Sequence, residues 1–304
     1  ASGAALEQWI GLSGIFWATA AFALIGIAIL HLWVPSPIRR TSHRDMEPVP
    51  QQFTKVLRNP EIMRMVFSIM ILHLLLTTSF FALPINLFEQ AGLPRDQHAM
   101  AYLPVLVLAF IAMLPFIIIA EKYSKMRPVF IGSVVVLGLV QVAWALFANS
   151  LTSILIGLWL FFTAFNILEA SLPSLMSKLS PLENKGTALG IYSTAQFLGA
   201  FIGGAAGGFL YGEYGATGVF VAGACITVVW LIFIIPMRQP RHLSTRILEL
   251  INLSEDNADD IARQLNGIKG VVETMIVTKE QVAYVKFVPE KINISELDEF
   301  KYSP

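Results

Sequence analysis

Seven apolar runs, each long enough to cross a bilayer, constrain this chain more than any motif in it. They lie near 9–34, 62–88, 99–120, 128–148, 151–174, 186–211 and 217–237. A helix crossing ~30 Å of hydrocarbon needs ~20 predominantly apolar residues. The connections between the runs are polar, such as EQAGLPRDQ, EKYSKMR and LSPLENK. The tight Asn149-Ser150 break divides an apolar stretch of about twice that thickness, so two spans meet there. Hydrophobic residues make up 55% of the 304 and charged residues 14%, a proportion that a soluble fold of this length cannot bury. Runs of this length span as helices, which satisfy their own backbone hydrogen bonds in lipid.

Charge placement orients the spans. Arg39, Arg40, Arg44, Lys55 and Arg58 follow the first run, and Lys122, Lys125 and Arg127 follow the third. Lys178 and Lys185 flank the connection between the fifth and sixth runs, and Arg238, Arg241 and Arg246 follow the last. The alternate connections hold only Arg95. Because cytoplasmic loops carry the excess of Lys and Arg, residue 1 is expected outside and the C-terminal segment in the cytoplasm. A formal net charge of zero argues against a nucleic-acid partner. The single cysteine, Cys225, cannot form a disulfide within the chain or a thiolate metal site. The chain opens on Ala1 without a basic leader, so further sequence is expected upstream.

From about residue 243 the pattern changes. RILELI alternates like a strand, and DNADDIARQL puts Ala258, Ile261, Ala262 and Leu265 on one helical stripe. Asp256 is placed to cap that helix and Gly267 to end it. VVETMIVT and QVAYVKFV read as strands joined at Lys279-Glu280, and Ser295 opens a short last helix. This β-α-β-β-α order is that of a ferredoxin-like domain with its last strand absent or formed differently. Where such domains carry a metal-binding CxxC, this chain reads NLSED, and no metal is expected. About sixty residues approach the lower limit for a stable core, which makes dimerisation through this domain plausible. The predicted fold class is an all-α polytopic membrane bundle of seven transmembrane helices followed by a small α+β ferredoxin-like domain.

Ionisable groups inside the spans are the candidates for function, since each costs several kcal/mol unless paired or facing water. His73 sits near the middle of the second run. Glu169 lies in the fifth, with Asn166 three residues before it on the same face. Tyr192 and Gln196 share one face of the sixth. That run also carries Gly199, Gly203 and Gly207 at intervals of four, and Gly204 and Gly208 likewise, the spacing of small residues that lets helix backbones approach closely. Gln141 reads as a packing residue. Pro84, Pro104, Pro115 and Pro173 lie inside or near the ends of runs, where they bend helices and free carbonyls.

The loop AEKYSKMRP resembles the repeated cytoplasmic loop motif of the major facilitator superfamily, G-x-x-x-D-R-x-G-R-[KR]. Glu121 stands for its Asp, Lys122 and Lys125 for its bases and Ser124 for its second Gly, with Arg127 close behind. Ile117 replaces the first Gly, so the copy is degenerate. AFNILEASLPSLMSKLSP at 164–181, KGTALGIYSTAQFLGAFIGGAAGG at 185–208, ILHLLL at 71–76, FFALP at 80–84 and AYVKF at 283–287 resemble a bacterial branch of that superfamily with a small cytoplasmic domain. The resemblance divides the chain into family helix six at 1–34, a central cytoplasmic loop at 35–60, a six-helix C-terminal half at 61–240 and the terminal domain at 241–304. It implies a twelve-helix inner-membrane transporter whose N-terminal half is missing from this chain. Such a transporter is driven by the proton gradient, uses no bound cofactor, and carries a small-molecule substrate as a proton-coupled antiporter. Glu169, His73, Asn166, Tyr192 and Gln196 would then border its cavity, and Glu121, Lys122, Lys125 and Arg127 its gating loop.

Two other classes compete. A seven-helix receptor signalling through its cytoplasmic domain fits the span count, but no span carries a central lysine for a retinal Schiff base. An enzyme would need paired catalytic carboxylates, a nucleophile elbow or a metal cluster, and none is visible in the sequence.

Overall fold

The computed structural model describes residues 2–34, 53–237, 243–250, 253–278, 281–293 and 296–297. Helix α1, Ser2–Trp33, is broken at Gly11 (φ 67°, ψ 172°), so its continuous apolar span is Ser13–Trp33. The sequence reading begins that span near residue 9; the positive φ of Gly11 accounts for the difference. A short helix α2, Phe53–Leu57, leads into α3, Pro60–Glu89. There Asn59 accepts from the N–H groups of Glu61 and Ile62, and Pro60 sits in the first turn, where no N–H is needed. Then come α4, His98–Lys122; α5, Met126–Phe147; α6, Leu151–Leu179, capped by Ser150; and α7, Lys185–Ile234. Pro84, Pro104, Pro115 and Pro173 all lie within these helices.

At 50 residues, a straight α7 would run ~75 Å, more than twice the hydrocarbon core. Gly215 breaks it, with φ 64° and ψ −167°, a conformation open to glycine at little cost. Both arms then lie against α3. In the first, Gly199 meets Met70, Gly203 meets Leu74 and Gly207 meets Thr78. In the second, Trp230 Nε1 donates to Ser68 Oγ at 2.9 Å and Phe233 packs on Phe67, ring centroids 4.6 Å apart. Residues 199 and 230 therefore sit at one level of α3, so α7 is a hairpin of two crossings. Among the described residues six helices are long and apolar enough to span a membrane, and the break in α7 turns them into seven crossings.

Helix α3 centres the bundle, burying Met65, Ile69, Leu72, Leu75, Leu83 and Leu87. Helix α5 packs on α6 where Gly157 leaves room for the Trp144 indole, and on the second arm of α7 where Gly223 backs Gln141. Gln141 is fully buried and donates to Ser79 Oγ at 2.7 Å, so its packing position also carries a polar link to α3.

In the terminal domain β1, Ser244–Glu249, and β2, Val271–Val277, both pair antiparallel with β3, Val282–Phe287, which lies between them. Helix α8, Glu255–Gly267, crosses from β1 to β2, and Leu248, Leu265, Ala283, Val285 and Leu297 form the buried core. Ser254 caps α8, not Asp256, and forms a capping box with Asn257, because the helix begins two residues earlier than a cap at Asp256 requires. Lys279, Glu280 and Ser295, expected in the turn and at the start of the last helix, lie outside the described residues.

The terminal domain touches the bundle at the α6–α7 connection. Lys286 Nζ donates to the Ser180 carbonyl at 2.9 Å, while Glu273 Oε1 accepts from Leu182 N–H at 3.1 Å. Lys286 and Glu273 approach to 4.0 Å, and the lysine side chain is only 6% exposed. Burial pushes Lys286 below the ordinary lysine range; Glu273 opposes that shift and Lys185 adds to it. Truncating a charged donor costs about 1.5–3 kcal/mol. Lys286→Met is therefore expected to loosen docking by one to two orders of magnitude while the sheet stays folded. Hydrogen exchange should show faster exchange at Ser180–Leu182 with unchanged protection in β3. Unchanged exchange at the connection would show that these bonds do not hold the domain.

A polar cluster on three helices as candidate functional site

The middle of α3, the second half of α6 and the first arm of α7 each place one polar side chain at a common point. His73 Nδ1 lies 3.3 Å from the Ile69 carbonyl one turn back. That bond puts the ring proton on Nδ1 and leaves Nε2 as an acceptor. The Gln196 amide nitrogen is 2.9 Å from His73 Nε2 and 3.3 Å from Glu169 Oε1, so its two hydrogens serve both partners. Glu169 Oε2 is 3.8 Å from His73 Nε2 and has no hydrogen-bond partner among the described residues. The Phe165 ring stands edge-on to the imidazole at 5.8 Å, one turn of α6 before the carboxylate. His73 is 14% exposed and Glu169 36%, so the cluster borders open space without being immersed in it.

This arrangement can respond to a proton. With His73 neutral, Gln196 donates to the ring and to the carboxylate. A proton on Nε2 would set donor against donor, turning the amide over and directing the new N–H toward Glu169 Oε2. One proton added there would thus change the contacts of three helices.

Asn166 and Tyr192, expected at the same site, make none of these contacts. Asn166 is half-buried one turn before Glu169, and Tyr192 is buried one turn before Gln196 with its hydroxyl unpartnered among the described residues. Phe165 was missed by sequence reasoning. Its only signal was the i, i+4 spacing to Glu169 within an aromatic-rich stretch.

The α4–α5 loop carries a second polar contact. Both Glu121 oxygens accept from Lys178 Nζ, at 3.0 and 2.9 Å, joining the end of α4 to the end of α6. Ser124, at the second-glycine position of the loop motif, takes φ 53°, a left-handed conformation that favours glycine. Arg127 donates to the Ile235 carbonyl at 2.8 Å, Lys122 lies 5.9 Å from the Tyr123 ring centroid, and Lys125 is exposed.

The glycines of α7 form the seam beside the cluster. A Cβ at Gly199 would overlap the Met70 carbonyl, and one at Gly203 would overlap Thr77 Oγ1 and the Leu74 carbonyl. At Gly207 the nearest atom, Thr78 Cα, would be 3.1 Å away, and at Gly208 the Phe81 ring 3.5 Å. Gly204 differs: nothing lies within 4 Å, because one residue turns the helix ~100° from the seam. Thr77 and Thr78 donate across it to the carbonyls of Ala200 and Gly203, at 3.0 and 2.9 Å.

Comparison with known proteins adds three findings. The family model described as Major Facilitator Superfamily matches residues 105–255. The inner membrane transport protein YajR of Escherichia coli K12 is 39% identical over 301 residues, which cover 98% of this chain and 65% of that protein. An uncharacterized transporter of Buchnera aphidicola from Acyrthosiphon pisum is 27% identical over 205 residues, covering 66% of this chain and 52% of that protein. The chain thus spans less than two thirds of the length of these relatives.

Proposed function

Since the chain belongs to the major facilitator superfamily, we propose that it forms part of a secondary active transporter of the bacterial inner membrane. On this reading a protein of the relatives' full length exchanges protons for a small molecule by alternating access, exporting the latter. Two helical halves rock about a cavity near the midplane. The terminal domain lies in the cytoplasm, consistent with the basic connections on that side.

The observation that carries the proposal is the Gln196 amide held between His73 and Glu169. Three spans meet there around two groups that can gain and lose a proton, His73 and Glu169, and the hydrogen bonds of the Gln196 amide between them cannot all survive the gain. Glu169 is the proton carrier, His73 shares the proton or contacts substrate, and Gln196 transmits the change between α3, α6 and α7. Asn166 and Tyr192 line the approach, and the Glu121–Lys178 pair closes the cytoplasmic ends of α4 and α6. Transporter names among the relatives support transport as the activity.

Reconstitution in proteoliposomes with an imposed pH gradient, screened against a panel of small molecules, tests the proposal. Substrate movement should stop when the gradient is collapsed, and substrate addition should drive proton flux. Substrate flux indifferent to the gradient would exclude proton coupling.

A further inference from the structure

Helices α4, α5 and α6 enclose a groove of about 480 Å³ that the polar cluster does not use. Phe116 and Ile119 of α4, Val129 and Val136 of α5, and Trp159 and Thr163 of α6 line it, and Lys125 stands at one end. Its lining is otherwise almost wholly apolar. On α6 the groove takes the stripe Leu160, Thr163, Ala164 and Ile167, spaced i, i+3, i+4 and i+7. Glu169 lies two residues beyond that stripe, ~200° around the helix from Ile167. The groove and the His73–Gln196–Glu169 cluster therefore use opposite faces of α6.

We propose that this groove binds one anionic phospholipid, with an acyl chain between α4, α5 and α6 and the head group against Lys125 and Lys122. Each wall is a membrane-spanning helix, so the open side meets hydrocarbon, and a flexible acyl chain is the apolar occupant always at hand. Lys125 and Lys122 are both exposed where the spans meet water, the level of lipid phosphates. Basic groups at the mouth of an interhelical pocket select anionic head groups. The site requires only that these helices cross a membrane, so its test is independent of whether or how the protein couples transport to protons.

Trp159 is the reporter. It is 39% exposed in the groove, whereas Trp144 and Trp230 are buried. The intact protein is reconstituted in vesicles with brominated acyl chains on either phosphatidylglycerol or phosphatidylcholine, at equal bromine content. Subtracting a Trp159→Phe protein isolates the Trp159 signal. Quenching of that signal should occur at an apparent affinity about fivefold or more higher for brominated phosphatidylglycerol. Lys122→Gln with Lys125→Gln should abolish the head-group preference while leaving the quenching itself. Equal affinity for the two lipids in the unsubstituted protein, a preference that survives the double substitution, or no Trp159 contribution to quenching would each overturn the proposal.

Discussion

Proteoliposomes carrying the Glu169→Gln protein at the relatives' full length are expected to lose pH-gradient-driven flux, falling to the level of empty vesicles, while the protein stays folded. Glutamine keeps the carboxylate's shape and can still accept from Gln196 through its carbonyl oxygen, so the 3.3 Å contact survives. What it cannot do is bind and release a proton. The unpartnered Glu169 Oε2, 3.8 Å from the imidazole, becomes an amide nitrogen, which cannot accept from a protonated His73 Nε2, so the neutral arrangement of the ring is favoured. Thermal stability in detergent is expected to change by no more than about 1 kcal/mol, the worth of one neutral hydrogen bond. Substrate should still bind, and passive exchange between equal pools should persist. If Glu169 were only a structural acceptor, stability would fall and the surviving protein would stay proton-coupled. A well-folded Glu169→Gln protein with intact coupling would remove the carboxylate from the mechanism.

The second large effect is expected at the glycine seam. Gly199→Ala and Gly203→Ala should each destabilise the bundle by about 3 kcal/mol or more, at or above the usual range for overpacking. The obstacles at these sites are the backbone carbonyls of Met70 and Leu74, which no rotamer change can move aside. Helix α3 must separate from α7, weakening the Thr77–Ala200 and Thr78–Gly203 hydrogen bonds as it does so. Gly204→Ala is the matched control: with nothing within 4 Å, the methyl is accommodated and alanine gains about 1 kcal/mol in helix preference. Unfolding midpoints in one detergent should drop sharply for the first two and hold or rise for the third. Equal midpoints for all three would show that α3 and α7 do not pack through this seam.

The sequence by itself determined the class of this protein. Apolar run length depends on chain chemistry and on the fixed thickness of hydrocarbon, so α3 to α6 could be read without any tertiary information. The break between the last two runs was legible for the same reason, since no 50-residue helix fits the membrane and GEYGAT interrupts the pattern where Gly215 turns. In the terminal domain, periodicities of two and about 3.6 marked β1, α8, β2 and β3 in order, because strands and helices alternate their faces locally.

Only the tertiary structure decided which side chains meet. Gln196 reaches His73 across 123 positions of sequence and Glu169 across 27, and helical spacing assigns a residue to a face without naming what lies opposite. Gln196 and Tyr192 share a face, yet only the amide bridges the pair. Gly203 and Gly204 are adjacent glycines in one glycine-rich stretch, yet one abuts backbone and the other open space. Lys178 reads as a loop-flanking charge until α6 brings it to Glu121, and Lys286 reads as a strand lysine until the sheet sets it against the Ser180 carbonyl. Periodicity is set within an element, while partners are set by the rotation and register of elements packed together, which depend on contacts distant in the chain.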